Sequence, residues 1–151
     1  MSSIFPKVDP DGLLEYSVVY TDRAVNHMSQ SLQQVMRDIS STLKKVYNAH
    51  SVAIVPGSGT FGMEAVARQF ATDKKCLVIR NGWFSYRWTQ IFEMGRIPSK
   101  EIVLMAQQTD ASATAPFTPP TIEDVLATIE KERPDVVFAP HVETSSGMIL
   151  P

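Results

Sequence analysis

The stretch Val52-Ala53-Ile54-Val55-Pro56-Gly57-Ser58-Gly59-Thr60-Phe61-Gly62-Met63-Glu64 joins a short apolar run to the start of a helical pattern. Val52 to Val55 is continuously apolar rather than alternating, as expected of a strand covered on both faces. From Thr60 to Phe70, the residues Met63, Val66, Ala67 and Phe70 recur on one side at the period of a helix. The glycines between them let the chain turn and let a ligand approach the main chain. A glycine loop that opens a helix presents unpaired N–H groups at the positive end of the helix dipole, which is an anion site. Ser58 and Thr60 add hydroxyl donors to it. The same residues also suit an ordinary tight strand-to-helix turn, and spacing alone leaves both readings open.

Three further apolar runs follow: Cys76 to Ile79, Ile102 to Met105, and Val136 to Ala139. Helical patterns separate them. Phe84 to Met94 carries Phe84, Trp88, Ile91 and Phe92 on one side, and Thr121 to Lys131 carries Ile122, Val125, Leu126 and Ile129. Pro119-Pro120 precedes the latter and Thr121 is placed to cap it. This alternation predicts βαβ units and an α/β fold of three layers, a mainly parallel sheet with helices on both faces. Right-handed crossovers then gather the loops that follow the strands on one edge, where α/β proteins bind ligands. Ahead of the first run, Ser29 to Tyr47 reads as a longer helix with Leu32, Val35, Met36, Ile39, Leu43 and Val46 in register. Residues 1–28 have no period and read as an N-terminal arm, so the organisation expected is an arm over 1–28 and a domain over 29–151. Thr109 to Pro120, rich in Ala, Thr, Ser and Pro, reads as a surface loop.

Composition narrows the function. Of 151 residues, 44% are hydrophobic and 20% charged, the balance of a globular domain with a real core. Fourteen basic residues face sixteen acidic ones, for a formal charge of −2, and the two signs are interspersed. No basic stripe suggests nucleic acid, and no apolar run suggests a membrane span or a secretion signal. The lone Cys76 cannot close an internal disulfide, which fits a reducing, cytoplasmic setting. The sequence stops on Met148-Ile149-Leu150-Pro151, just after a strand and a polar loop, the pattern expected of a truncated domain.

Two more loops carry candidate chemistry. Arg80-Asn81-Gly82-Trp83-Phe84-Ser85-Tyr86-Arg87-Trp88 clusters aromatics at the C-terminal end of a strand, where a flat ring can stack, although packing under the sheet is the alternative fate of each one. Ala139-Pro140-His141-Val142-Glu143-Thr144-Ser145-Ser146-Gly147 leaves the last strand dense in hydrogen-bonding side chains. His141 and Glu143 lack metal-ligand spacing, and no G-x-S-x-G elbow marks a serine nucleophile. A dinucleotide reading is also open, because Gly57, Gly59 and Gly62 match G-x-G-x-x-G. It calls for an acid at the end of the next strand, where Arg80-Asn81 stands instead and suits at best the 2′-phosphate of NADP.

Taken in order, the three loops resemble those of class V aminotransferases, pyridoxal-phosphate enzymes of fold type I, in particular the alanine–glyoxylate, serine–pyruvate and 2-aminoethylphosphonate–pyruvate group. The resemblance runs from about Thr21 to Pro151. Gly57-Ser58-Gly59-Thr60 with Met63-Glu64-Ala65 resembles the phosphate loop and its helix. Asn81-Gly82-Trp83-Phe84 with Arg87 resembles the loop whose aromatic stacks on the cofactor. His141-Val142-Glu143-Thr144-Ser145-Ser146-Gly147 is similar to the H-x-E-[ST]-[ST]-x-G turn. Two departures stand out. Ser85 occupies a position that is often Gly, and Asp9-Pro10-Asp11-Gly12-Leu13-Leu14-Glu15-Tyr16 replaces a segment that is usually proline- and glycine-rich.

The resemblance implies the large domain of such an enzyme, incomplete, with pyridoxal 5′-phosphate as cofactor. It implies that Ser58, Gly59 and Thr60 hold the phosphate, that Phe84 stacks on the ring with Trp83 as the second candidate, and that Thr144 bonds the phenolic oxygen. His141 and Glu143 would shape the turn and touch the ring. It further implies transfer of an amino group from an amino acid to a 2-oxo acid, a homodimer, and a catalytic lysine and ring-pairing acid beyond Pro151, with a small C-terminal domain. Lys7, Lys44, Lys45, Lys74, Lys75, Lys100 and Lys131 sit on polar faces, in the arm or before strands, so this chain alone is expected to be inactive. A lyase or desulfurase using the same cofactor, an NADP-binding module, and a non-catalytic dimerisation fragment are the alternatives.

Overall fold

The computed structural model describes residues 27–150. The arm expected over 1–28 therefore lies, but for His27 and Met28, outside the described residues. The chain divides between Ile54 and Val55 into two compact units.

In the first unit, α1 spans Gln30–Tyr47. Ser29 caps it by accepting a hydrogen bond from the Leu32 N–H at 3.1 Å, and Asn48 ends it in a left-handed conformation. Lys44 and Lys45 lie in the last turn, where the helix dipole favours cations.

The second unit is an α/β structure. Its elements are α2 (Gly59–Phe70), β1 (Lys75–Arg80), α3 (Trp83–Gly95), β2 (Lys100–Met105), β3 (Gln107–Gln108), β4 (Phe117–Thr118), α4 (Ile122–Glu132), β5 (Val136–Phe138), β6 (Val142–Glu143) and β7 (Met148–Ile149). A parallel sheet has the order β2-β1-β5. Lys75 to Arg80 pair with Lys100 to Met105, and Cys76 to Val78 with Val136 to Phe138. Only the middle strand is paired on both sides, and Cys76, Leu77, Val78 and Ile79 are buried there, as their unbroken apolar run requires. The core joins them to Ala67 and Ala71 of α2, Phe92 of α3, Ile97, and Phe138 of β5. Trp88 closes on Phe138 with ring centroids 4.6 Å apart, and Phe92 meets Phe138 edge-on at 5.1 Å. Trp88 is thus a packing residue.

At the start of the strands, Lys75 and Lys100 each place Nζ 3.1 Å from Glu132 Oε2, which ties the end of α4 to the sheet. Thr121 and Asp124 form a reciprocal cap at the start of α4.

One sequence expectation fails. Val52 to Val55 is not a strand, and Ile54 and Val55 are 40% and 41% exposed. A strand exists only through its ladder. Among the described residues no strand pairs with this segment, and apolar, β-branched residues alone do not make one. The run Val136 to Ala139 is one residue shorter as a strand, ending at Phe138. Two small hairpins also appear. β3 and β4 brace the base of the Thr109–Pro120 loop, and β6 and β7 fold the last polar loop back through Gly147 at φ 71°.

Candidate functional site

The start of α3 is built around a carboxylate from elsewhere in the chain. Gly82, the N-cap, has no side chain to offer the first turn. Glu143 of β6 fills that role. Its Oε1 accepts from the Phe84 N–H at 3.1 Å, and its Oε2 accepts from the Ser85 N–H and the Ser85 hydroxyl, both at 2.7 Å. The Trp83 N–H donates to Ser145 Oγ at 2.7 Å, and the Ser145 hydroxyl donates in turn to Glu143 Oε1. Ser85 Oγ also accepts from the N–H groups of Asn81 and Gly82 at 2.8 and 3.0 Å. Every N–H of the first turn is therefore spent inside the protein.

Glu143 is 1% exposed and Ser85 is 0% exposed. Burial alone would raise the carboxyl pKa. The hydrogen bonds from Ser145, Ser85 and the Phe84 N–H outweigh that and lower it to about 2. Gly82 is required by close approach, since a Cβ there would lie 2.5 Å from Ser145 Oγ and 2.7 Å from Glu143 Cγ.

The start of α2 is arranged in the opposite way. Ser58 is its N-cap, but the Ser58 side chain makes no capping bond. The Phe61 N–H turns back to Ser58 O at 3.0 Å, and the N–H groups of Gly59 and Thr60, at the open end of the helix, have no acceptor among the described residues. Gly57 precedes them at φ 135°, where a Cβ would strike Phe61 Cδ2 at 2.6 Å, so this turn admits only glycine. From α3, Arg87 Nη1 donates to Thr60 Oγ1 at 3.0 Å. Of the four described helices, α1 and α4 are capped by Ser29 and Thr121, and α3 by Glu143 and Ser145. Only α2 keeps its anion-binding end free among the described residues.

Two cavities flank this region. One of about 600 Å³ opens at the C-terminal ends of β1 and β2, with Arg80, Asn81, Trp83, Tyr86, Phe117 and Ser145 in its wall. The Arg80 guanidinium lies 5.2 Å from the Tyr86 ring centroid. The other, of about 500 Å³, lies between α2 and α3 and includes Thr60, Glu64, Arg68, Trp83 and Arg87 in its wall.

Of the residues singled out from sequence, Thr60 and Trp83 share the second cavity, and Trp83, 56% exposed, borders both. Ser58 and Gly59 stand exposed at the free end of α2. The Phe84 ring is 48% exposed and borders neither cavity, while its N–H is held by Glu143. His141 and Thr144 are exposed beside the β6–β7 hairpin and border neither cavity. Glu143 is buried as an anchor for α3. Sequence reasoning missed the joint role of Gly82, Ser85 and Ser145. The one local signal was the three-residue spacing of Gly82 and Ser85, that of a cap and its third helical residue.

A phosphate-bearing cofactor fits the residues present at α2, which offer free N–H groups, two hydroxyls, a glycine-only turn and an adjacent guanidinium. Among the described residues no group of three His, Cys, Asp or Glu side chains can hold a metal ion, and no helix is long and apolar enough to cross a membrane.

No family model matches the chain, and no curated protein matches it. Among solved structures it is similar to ureidoglycine–glyoxylate aminotransferase from Bacillus subtilis, at 23% identity with a TM-score of 0.63. That match covers 84% of this chain and 31% of the enzyme, so the chain spans about a third of the length of the protein it matches. At this identity the likeness is one of fold, and the α/β unit described above has the fold of part of that aminotransferase.

Proposed function

We propose that this chain forms part of the cofactor-binding domain of a pyridoxal-phosphate-dependent aminotransferase that moves an amino group from an amino acid to a 2-oxo acid. The observation that carries the proposal is the contrast between helix ends. An anion arriving at this unit finds α3 already closed by Glu143 and α2 open, with Arg87 beside it. An open helix end with a guanidinium beside it supports the phosphate-anchoring reading of the sequence motif. The fold shared with a known aminotransferase supports the same reading.

In this proposal Ser58, Gly59 and Thr60 hold the phosphate through main-chain and hydroxyl donors. Phe84, with Trp83 as the second candidate, supplies the flat surface against the ring from the first turn of α3, and Thr144 supplies a hydroxyl to its phenolic oxygen. When bound, the cofactor supplies an electron sink for the bond-breaking step at the substrate Cα. Glu143 stays ionised and fixes the turn that presents both aromatics. The lysine and the ring-pairing acid that the reaction needs belong to the rest of the protein in this proposal, as do a homodimer partner and the substrate carboxylate site. A cytoplasmic setting belongs to the same reading.

The test is binding of pyridoxal 5′-phosphate to the protein carrying this chain, followed by absorbance with an amino acid alone and with an amino acid plus a 2-oxo acid. Turnover that needs both substrates supports transamination, whereas turnover with the amino acid alone points to a lyase or desulfurase. Saturable NADP binding without binding of pyridoxal 5′-phosphate would overturn the proposal.

A further inference from the structure

Arg87 is set apart among the described cations by a buried Nε that has no hydrogen-bond partner. Arg68 is paired with Glu64 at 2.7 Å, and Lys75 and Lys100 share Glu132. Arg87, partly buried between α2 and α3, has no carboxylate within ion-pair distance among the described residues. The nearby Glu64 is already engaged by Arg68. Among the described residues the single hydrogen bond of the Arg87 guanidinium goes to Thr60 Oγ1, and its Nε is buried without a partner. A half-buried guanidinium with no counter-ion is costly to keep. A structural role would be met more cheaply by an uncharged residue or by pairing the charge.

We infer that Arg87 is the positioning residue of the anion site at α2: it fixes Thr60 as a hydrogen-bond donor and supplies the positive charge that selects a phosphate. This inference rests on the reading of α2 as the phosphate anchor. The chemistry follows from donor counts. A guanidinium only donates, so Thr60 Oγ1 must accept from it, and the Thr60 hydroxyl proton is then directed away from Arg87. A hydroxyl that could either donate or accept becomes a committed donor, which suits an anion lacking protons at neutral pH. The charge adds to the positive end of the α2 dipole in a partly desolvated place, where it is less screened than at the surface. Arg87 thus acts on the anion largely through Thr60 and through its field, and touching the phosphate is not required.

The experiment compares affinities for pyridoxal 5′-phosphate and for pyridoxal, which lacks the phosphate, in the protein carrying this chain and in its Arg87→Met, Arg87→Lys and Thr60→Val variants. Inorganic phosphate is titrated in parallel, followed by the amide resonances of Gly59 and Thr60. Arg87→Met is expected to weaken pyridoxal 5′-phosphate at least tenfold while leaving pyridoxal unchanged, and Arg87→Lys to recover part of the loss. The double variant Arg87→Met with Thr60→Val is expected to lose less than the two single losses combined, because one residue acts through the other. If Arg87→Met does not fold, Arg87→Lys and Thr60→Val carry the comparison. An unchanged preference for the phosphorylated ligand in the Arg87 variants overturns the inference and leaves the cofactor proposal standing. Arg87-dependent binding of inorganic phosphate with no binding of pyridoxal 5′-phosphate does the reverse. Binding of neither phosphate nor pyridoxal 5′-phosphate overturns both.

Discussion

Replacing Glu143 with Gln keeps the length of the side chain and removes its charge. The native carboxylate accepts from the Phe84 N–H, the Ser85 N–H and the hydroxyls of Ser85 and Ser145, all of them donors. A Gln amide offers one acceptor oxygen and turns its own N–H groups toward the remaining donors. The lowered pKa gives the scale. A fall from 4.5 to about 2 corresponds to about 3 kcal/mol of folding stability at pH 7.

The sign follows from linkage. A carboxyl whose pKa is lower folded than unfolded contributes fully above the unfolded value, and that contribution is lost as pH falls through the folded value. The advantage of the native protein over Glu143→Gln is therefore expected to be about 3 kcal/mol at pH 7 and to shrink by more than half, to about 1 kcal/mol, at pH 3. Urea unfolding of both proteins at several pH values measures it. Amide hydrogen exchange at Trp83, Phe84 and Ser85 reports whether the loss sits at the start of α3. Equal stability at pH 7, or a gap that stays constant down to pH 3, would refute the reasoning.

Two other substitutions test further features of the α/β unit. Gly82→Ala places a methyl 2.5 Å from Ser145 Oγ and 2.7 Å from Glu143 Cγ, so it is expected to cost about 1–3 kcal/mol, read as a lowered urea midpoint. Glu101 on β2 has a buried Oε1 without a partner, and burial raises its pKa against a smaller opposing pull from Arg80. Its ionised form is the disfavoured one when folded, so stability at this position falls as pH rises through the raised pKa. Glu101→Gln is accordingly expected to raise the urea midpoint at pH 7 and to change it little at pH 4.

The helices were legible in the sequence to within about a residue because each carries an apolar period, reinforced for α4 by a start signal in Thr121 before Ile122. The three sheet strands were legible because their apolar runs are continuous. Val52 to Val55 has the same composition and yet is no strand, because composition reports a preference for a pleated neighbour and cannot say whether one is there. The site was legible in part. The glycine loop announced the open end of α2, with its glycine-only turn at Gly57. The closed end of α3 was not foreseeable, since Glu143 and Ser85 lie 58 positions apart and no local rule links them. Arg87 and Thr60, 27 positions apart, were hidden for the same reason.

That separation has a consequence for the order in which the molecule is made. Chains leave the ribosome N-terminus first, and α3 is complete at Gly95, while its cap arrives with Glu143 and Ser145. Until then the first turn lacks the acceptors that hold the N–H groups of Trp83, Phe84 and Ser85 in the finished fold. β6 and the loop after it then supply them, with a single carboxylate gathering Phe84, Ser85 and Ser145 together. The turn that carries the two aromatic rings is therefore completed only by the last polar loop, which is the latest of these segments to be synthesised.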